Sequence, residues 1–101
     1  MDAYLICKDS KYALWLGKPI RTVALEKSAE RVVFYHRGPK DGIYNHEDPL
    51  SNKTLWKFLA DNAHKELRVV FSGEFNEDEY EHIGSGDVET ENYVHGWPEG
   101  S

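Results

Sequence analysis

The sequence predicts an α+β domain in which one principal α-helix, at about residues 49–64, packs on one face of a mainly antiparallel β-sheet. Two observations support this class. Short runs of β-branched, aromatic and aliphatic residues lie on both sides of a single stretch with apolar residues at helical spacing. The order of strands, one helix and further strands is typical of an antiparallel sheet covered by a helix. With 101 residues, 40% of them hydrophobic, we expect one domain spanning residues 1–101, with a frayed tail from about residue 96.

The first two strands are predicted to form a β-hairpin. Residues 3–7, AYLIC, and 12–16, YALWL, are separated by KDSK, a polar stretch with turn residues. Gly17 and Pro19 are predicted to end the second strand, because glycine weakens a strand and proline cannot donate a backbone hydrogen bond. Residues 20–25, IRTVAL, then form either a short third strand or the crossing to the next element.

The middle of the chain contains the clearest strand and the helix. RVVFYHR, at residues 31–37, is predicted to be a strand, and the Gly- and Pro-containing residues 38–49 a loop. Asp48 can cap the helix, and Pro49 can take its first position, where a missing N–H costs nothing. The helix is predicted to stop near His64, and its apolar stripe comprises Leu55, Phe58, Leu59 and Ala63.

The last third of the chain is predicted to contain short strands. ELRVVFS, at residues 66–72, alternates like a strand, and Gly73 ends it. DEYEHI, at residues 78–83, fits either a strand edge or one helical turn. DVETENYV, at residues 87–94, also alternates, which would place its three acidic residues on one side.

Two of the predicted strands are apolar on both faces, although one helix can cover only one of them. In residues 12–16, for example, Leu14 and Trp15 point to opposite sides of the strand. The second face must therefore be covered by the C-terminal segment, by another copy of the chain, or by a partner. Coverage by the C-terminal segment makes Trp15 an ordinary core residue, whereas the other two make it a contact anchor.

The distribution of charge is the most informative property of the chain. The net charge is −6, but residues 1–68 carry +3 and residues 69–101 carry −9, with no lysine or arginine in the second range. A chain that only needs to remain soluble is expected to mix the two signs. The segregation therefore suggests a function for the acidic third.

Several classes of function are disfavoured by the sequence. Cys7 is the only cysteine, which excludes an internal disulfide and a cysteine-rich zinc site, and the five histidines are scattered without a metal-binding spacing. We therefore expect no cofactor, no bound metal and no catalytic residues, and a binding protein rather than an enzyme. The dispersed basic residues and the acidic third argue against nucleic acid as a partner. No apolar run is long enough to span a bilayer, and the first residues, MDAYLICKDS, do not resemble a signal peptide, so we expect a cytoplasmic protein without a membrane partner.

The functional hypothesis is a small acidic domain that docks onto a basic protein. Carboxylates around aromatic anchors are the composition expected of such a surface, since charges speed encounter and aromatic rings supply buried area. A nuclease is a suitable partner, which would make the protein an inhibitor of the immunity type, of the kind small bacterial proteins provide. The candidate partner-binding residues are Glu74, Glu77, Asp78, Glu79, Tyr80, Glu81, Asp87, Glu89, Glu91, Tyr93 and Trp97.

Three alternatives remain open at this point. The acidic third is equally compatible with a solvated surface that only keeps the protein soluble. A homo-oligomeric structural domain, for instance a homodimer, could pair the second sheet face with itself. A small ligand- or metal-binding enzyme could use histidines and tyrosines at the rim of a pocket between the helix and the sheet.

Overall fold

The computed structural model describes residues 2–23, 30–37, 43–44 and 48–95, and it confirms the predicted α+β class. Among the described residues, one α-helix is much longer than the other, and a single turn of 3₁₀ helix precedes the last strand. The elements in chain order are β1 (Ala3–Cys7), β2 (Tyr12–Val23), β3 (Glu30–Arg37), β4 (Ile43–Tyr44), α1 (Pro49–Asp61), β5 (Leu67–Phe71), the 3₁₀ turn (Glu77–Glu79), β6 (Glu81–Ile83) and α2 (Thr90–Tyr93).

The sheet is antiparallel along its main path and has one parallel pairing. Its strand order is β4-β3-β2-β1-β5, with every neighbouring pair antiparallel. The predicted hairpin of β1 and β2 is present, and its turn places Lys11 in the left-handed region with φ 61°. Strand β6 lies off this path and pairs in parallel with the start of β2. The start of β2 therefore lies between β1 and the C-terminal part of the chain.

Strand β2 does not end at Gly17 and Pro19, so the prediction of a strand end there is wrong. Residues up to Gly17 pair with β1, and residues from Lys18 onwards pair with β3. The register with β1 shifts at this point, where Gly17 has φ 92°. A glycine with positive φ at an irregular register allows the strand to bend without terminating. The predicted third strand at residues 20–25 is the continuation of β2 to Val23, and residues 24–25 lie outside the described part.

Helix α1 begins as predicted and ends three residues before His64. The Asp48 side chain accepts a hydrogen bond from the Ser51 backbone N–H at 2.7 Å, which caps the first turn. At the other end, the buried Asn62 donates its side-chain amide to the Phe58 carbonyl at 2.8 Å. This bond satisfies a carbonyl at the helix end, and His64 then adopts a left-handed φ of 66° that stops further helix.

Asn62 also joins the helix to the β1–β2 hairpin. The Ser10 hydroxyl, in the hairpin turn, donates to the Asn62 side-chain oxygen at 2.8 Å. The side chain of Asn62 is 3% exposed, and a polar group at this depth must be hydrogen-bonded. The single amide therefore fixes the end of α1 against the turn that connects the first two strands.

Two clusters of buried side chains lie on opposite faces of the sheet. The first face carries α1 through Phe58, and its buried cluster comprises Leu5, Cys7, Leu14, Phe58 and Ile83. On the second face the buried residues are Tyr4, Ile6, Ala13 and Tyr80, with Trp15, Val70 and Phe75 packed against them. Beside β1 and the start of β2, the second face is thus covered by the chain's own C-terminal part, through Phe75 and Tyr80. Trp15 is a half-buried residue of this second cluster.

The C-terminal third is less extended than its alternation suggests. The strand predicted at residues 66–72 is confirmed as β5. Residues 78–83 combine both predicted forms, because they enter the 3₁₀ turn and then β6. The extended structure suggested for residues 87–94 is wrong: Val88 forms a single β-bridge with Ile83, and the chain then turns into α2.

No helix within residues 2–23, 30–37, 43–44 and 48–95 is both long and apolar enough to cross a membrane.

Candidate acidic interface

The acidic segment, defined here as residues 74–93, is held to the second face by aromatic side chains. Phe75 and Tyr80 lie edge to face with 5.4 Å between their ring centroids, and Phe75 contacts Tyr4 of β1 at the same distance. Tyr80 is only 8% exposed. The backbone N–H of Glu81 donates to the Lys11 carbonyl at 2.8 Å. The first half of the acidic segment is therefore packed against the sheet.

The acidic segment then passes to the first face at β6. Ile83 is fully buried in the first cluster, and Val88 packs against the same cluster. Two backbone hydrogen bonds close the intervening loop, from Gly84 N to the Val88 carbonyl at 2.7 Å and from Val88 N to the His82 carbonyl at 2.9 Å. Gly84 has φ 94° and stands close to Trp15, so the loop needs a glycine here. The acidic segment is thus attached to both faces of the sheet.

The end of the acidic segment is fastened to helix α1 by Tyr93. Its ring packs against the first cluster and lies 4.4 Å below the Lys57 ammonium, and its hydroxyl donates to the Asp61 carboxylate at 2.6 Å. Burial and the bond to Asp61 raise the pKa of Tyr93. Burial also tends to raise the pKa of Asp61, but hydrogen bonds from Lys57 and Tyr93 outweigh it and leave that pKa below its ordinary value.

The carboxylates of the acidic segment point outward while its apolar side chains point inward. Of its eight acidic residues, Glu77 is half-buried and seven are exposed: Glu74, Asp78, Glu79, Glu81, Asp87, Glu89 and Glu91. Glu79 lies 3.6 Å from the ammonium of Lys11, and both side chains remain about half exposed, at 57% and 49%. Two others accept backbone hydrogen bonds, Glu74 from Phe71 and Asp87 from His82. These bonds fix carboxylates in position without adding a positive side chain beside them.

The acidic residues fall into two groups along the chain. Residues 74–81 belong to the part that covers the second face, and residues 89–91 lie at α2, next to α1 on the first face. Asp87 lies in the loop that joins the two parts. The structure thus brings the first group together around the 3₁₀ turn and leaves the second on the other side of β6.

Two of the aromatic residues predicted for the binding surface, Tyr80 and Tyr93, pack into the fold instead. Tyr80 is buried in the second cluster, with Lys11 5.2 Å above its ring, and Tyr93 is half-buried between α1 and α2. Their rings contact the protein's own core instead of forming an exposed anchor. Trp97 lies outside the described residues.

His82 and Cys7 are both engaged in contacts within the fold. His82 places its Nε2 atom 2.9 Å from the Glu77 carbonyl and stacks on Phe75. Within the described part of the chain, no three histidine, cysteine, aspartate or glutamate residues come together as a metal site. Cys7 is fully buried, and although burial raises its pKa, hydrogen bonds around Ser10 lower it further than burial raises it. Access to the thiol is closed in this fold.

A groove of about 370 Å³ lies on the second face beside the acidic segment. Its floor is apolar and includes Ile6, Val70 and Phe75, while Lys8 and Glu79 stand among its charged residues. This groove lies on the face of the sheet opposite α1, which is a different place from the pocket between helix and sheet that the sequence leaves open. The signal for the groove was present only in the alternation of β1 and β5, whose second-face residues are Ile6 and Val70.

No family model, no curated protein and no solved structure matches this chain. The function of this chain is therefore inferred from its own residues and their geometry.

Proposed function

We propose that this protein is a small acidic binding domain that docks onto a basic protein through its acidic segment. The observation that carries the proposal is the division of that segment into an inward apolar side and an outward acidic side. Seven exposed carboxylates are carried on a backbone that Phe75, Tyr80, Ile83 and Tyr93 fasten to the core. Charges that are held in place before binding lose little conformational entropy when a partner arrives.

The electrostatic pattern fits association more closely than solubility alone. Residues 69–101 hold no lysine or arginine, so the field of the acidic side chains is opposed only by cations from elsewhere, such as Lys11. A surface of one sign steers an oppositely charged partner and raises the association rate. Because Tyr80 and Tyr93 are engaged in the core, we expect charge to contribute more to binding than aromatic contacts.

Within this class, a nuclease is the partner we propose. Enzymes that act on nucleic acids need a basic surface to bind phosphates. The carboxylates held around the 3₁₀ turn can occupy that surface in place of the phosphates and thereby block the substrate. The proposed activity is therefore inhibition by occlusion, without chemistry at the acidic segment.

The test compares two variants with the same change in net charge. In the first, Glu77, Asp78, Glu79 and Glu81 are changed to glutamine or asparagine. In the matched control, four acidic residues from the basic part of the sequence are neutralised in the same way: Asp9, Glu26, Asp41 and Glu47. Binding to a panel of purified basic nucleases, with a histone as a basic protein that lacks nuclease activity, is measured by calorimetry at about 50 to 300 mM salt, because screening changes strongly over that range.

The wild type and the control variant should bind at least one nuclease with an affinity that falls steeply with salt, and should inhibit it. The first variant should lose at least tenfold in affinity. Equal loss in both variants would mean that only net charge matters. Binding that ignores salt, or no binding to any member of the panel, would refute the acidic-surface proposal.

A further inference from the structure

Strand β5 is the edge of the sheet next to β1, and its hydrogen-bonding pattern shows which backbone groups face outward. Ser72 donates to the carbonyl of Asp2, its direct neighbour across the strands, at 2.8 Å. Hydrogen-bonded and non-hydrogen-bonded pairs alternate in an antiparallel ladder. Phe71, Val69 and Leu67 are therefore in non-hydrogen-bonded pairs, and their N–H and C=O groups point away from β1.

One end of this outer edge is closed by the protein itself. The Glu74 carboxylate accepts a hydrogen bond from Phe71 N–H at 2.6 Å, and Glu74 N–H donates to the Phe71 carbonyl at 3.0 Å. The outward groups of Phe71 are thus occupied. Those of Val69 and Leu67 are the outward groups of β5 for which the described residues provide no hydrogen bond.

The open part of the edge is also exposed to solvent. Val69 is 55% exposed, and the side chains of Glu66 and Arg68 are 77% and 70% exposed. An exposed strand edge is a template for pairing with another strand. The side chains around the open part decide which strand fits.

Glu66 and Arg68 make this edge complementary to itself. They flank Leu67 and share the second face, because residues two apart on a strand point to the same side. In an antiparallel pair of two β5 strands centred on Leu67, each Glu66 lies directly opposite Arg68 of the other copy. The ion pair that they form within one chain, at 3.4 Å, can then be exchanged for two pairs between chains.

Other registers fit less well. Centring the pair on Arg68 would place two arginines opposite each other, which is destabilising. Centring it on Val69 would require the outward groups of Phe71, which Glu74 already occupies. In the register centred on Leu67, the two Leu67 residues pair through their open N–H and C=O groups, with opposite charges beside them. Val69 then faces Lys65, whose N–H donates to its own Asn62 carbonyl at 3.1 Å, so this register has one occupied group where the register centred on Val69 has two.

We propose that β5 pairs with β5 of a second copy of this chain around a two-fold axis at Leu67. The two sheets become continuous, and both copies of α1 lie on the same face of the joined sheet. This contact is separate from the acidic segment and does not depend on its function. Because it involves few residues, it buries less area than a standard interface, and we expect a weak, concentration-dependent dimer.

The test is sedimentation equilibrium at about 10 µM to 1 mM protein on the wild type and three variants, the range suited to a weak dimer. Glu66→Arg and Arg68→Glu each place like charges opposite each other and should weaken self-association at least tenfold. The double variant, with the two residues exchanged, restores opposite charges and should recover dimerisation. Because both substituted side chains are exposed, circular dichroism should show the same fold in all three variants.

A control exchanges the charges of a different surface ion pair, Lys11→Glu with Glu79→Lys, and should leave the dimer unchanged. The variant with four neutralised carboxylates in the acidic segment should also dimerise, which separates this proposal from the proposed function. A wild type that stays monomeric at 1 mM would overturn the proposed dimer. This holds even if the β5 edge were then found to bind a peptide from another protein. A double variant that stays as weak as the single variants would overturn it as well.

Discussion

Replacing Tyr80 by alanine tests whether the acidic segment is fastened to the core by its aromatic residues. Tyr80 is 8% exposed, packs edge to face on Phe75 and lies under the Lys11 ammonium. Truncation of a buried aromatic residue costs about 3–5 kcal/mol, which includes the loss of contacts such as these. Because Tyr80 lies at the margin of the second cluster, where the site can partly relax, we expect a loss of about 3 kcal/mol in the free energy of unfolding.

The assay is urea denaturation followed by circular dichroism and by tryptophan fluorescence, to which Trp15 in the same cluster contributes. With an m-value of about 1.5 kcal/mol/M, the midpoint should fall by about 2 M. Tyr80→Phe keeps the ring and should lose less than about 1 kcal/mol. Asp78→Asn, at an exposed neighbour, should change stability by less than about 0.5 kcal/mol.

A loss below about 1 kcal/mol for Tyr80→Ala would refute the claim that Tyr80 fastens the acidic segment to the core, because removing a well-packed aromatic side chain costs more than this. Such a small loss would favour the prediction from sequence that Tyr80 contacts a partner. A change of m-value together with the midpoint would instead show that the acidic segment unfolds separately from the rest.

Three further predictions concern the loop, the helix end and the pH dependence. Gly84→Ala should lose about 2 kcal/mol of stability, because the residue has φ 94° and its added Cβ would lie 3.2 Å from the Thr90 hydroxyl oxygen. Gly73→Ala, with φ 87° but open space around it, should lose about 1 kcal/mol. Equal losses for the two variants in urea denaturation would contradict this. Asn62→Ala should cost about 2 kcal/mol, because it removes both side-chain hydrogen bonds of a buried amide, and a cost below about 0.5 kcal/mol would contradict the described bonds. The pKa of Asp61 is lowered in the fold, so its contribution is present above the unfolded pKa and is lost as the pH falls through the folded pKa. The stability difference between the wild type and Asp61→Asn should therefore shrink as the pH falls below the ordinary aspartate pKa of about 4, and a difference that does not change with pH in that acid range would show that the bonds to Asp61 do not act through its charge.

The sequence patterns were most reliable where local signals agreed with the final environment. The hairpin, β5 and the start of α1 could be predicted because alternation, turn residues and the Asp48-Pro49 cap act over a few residues. The apolar stripe of α1 was less accurate. Thr54 is buried, and its hydroxyl is satisfied there by donating to the Leu50 carbonyl, whereas Leu59 is 36% exposed. Hydropathy alone would predict the opposite burial for these two residues.

The errors arose where tertiary pairing overrode a local rule. Gly17 and Pro19 are poor strand residues, yet β2 continues through them because β3 takes over from β1 as its partner. The acidic segment could be found from its composition. That Phe75 and Tyr80 face the core, however, depends on the second face of β1 and β2, about 60 residues or more away in sequence, which no local pattern contains.

The pairing of β6 with β2 has a consequence for how the protein is made. Tyr12 of β2 pairs with Glu81, so this contact can form only after most of the chain has left the ribosome. Until residues 75–83 emerge, the second cluster around Tyr4 and Ile6 lacks its cover and is a target for chaperones. The carboxylates of the 3₁₀ turn reach their final positions in that same late step, so a nascent chain that has not finished folding would present no organised surface to a partner.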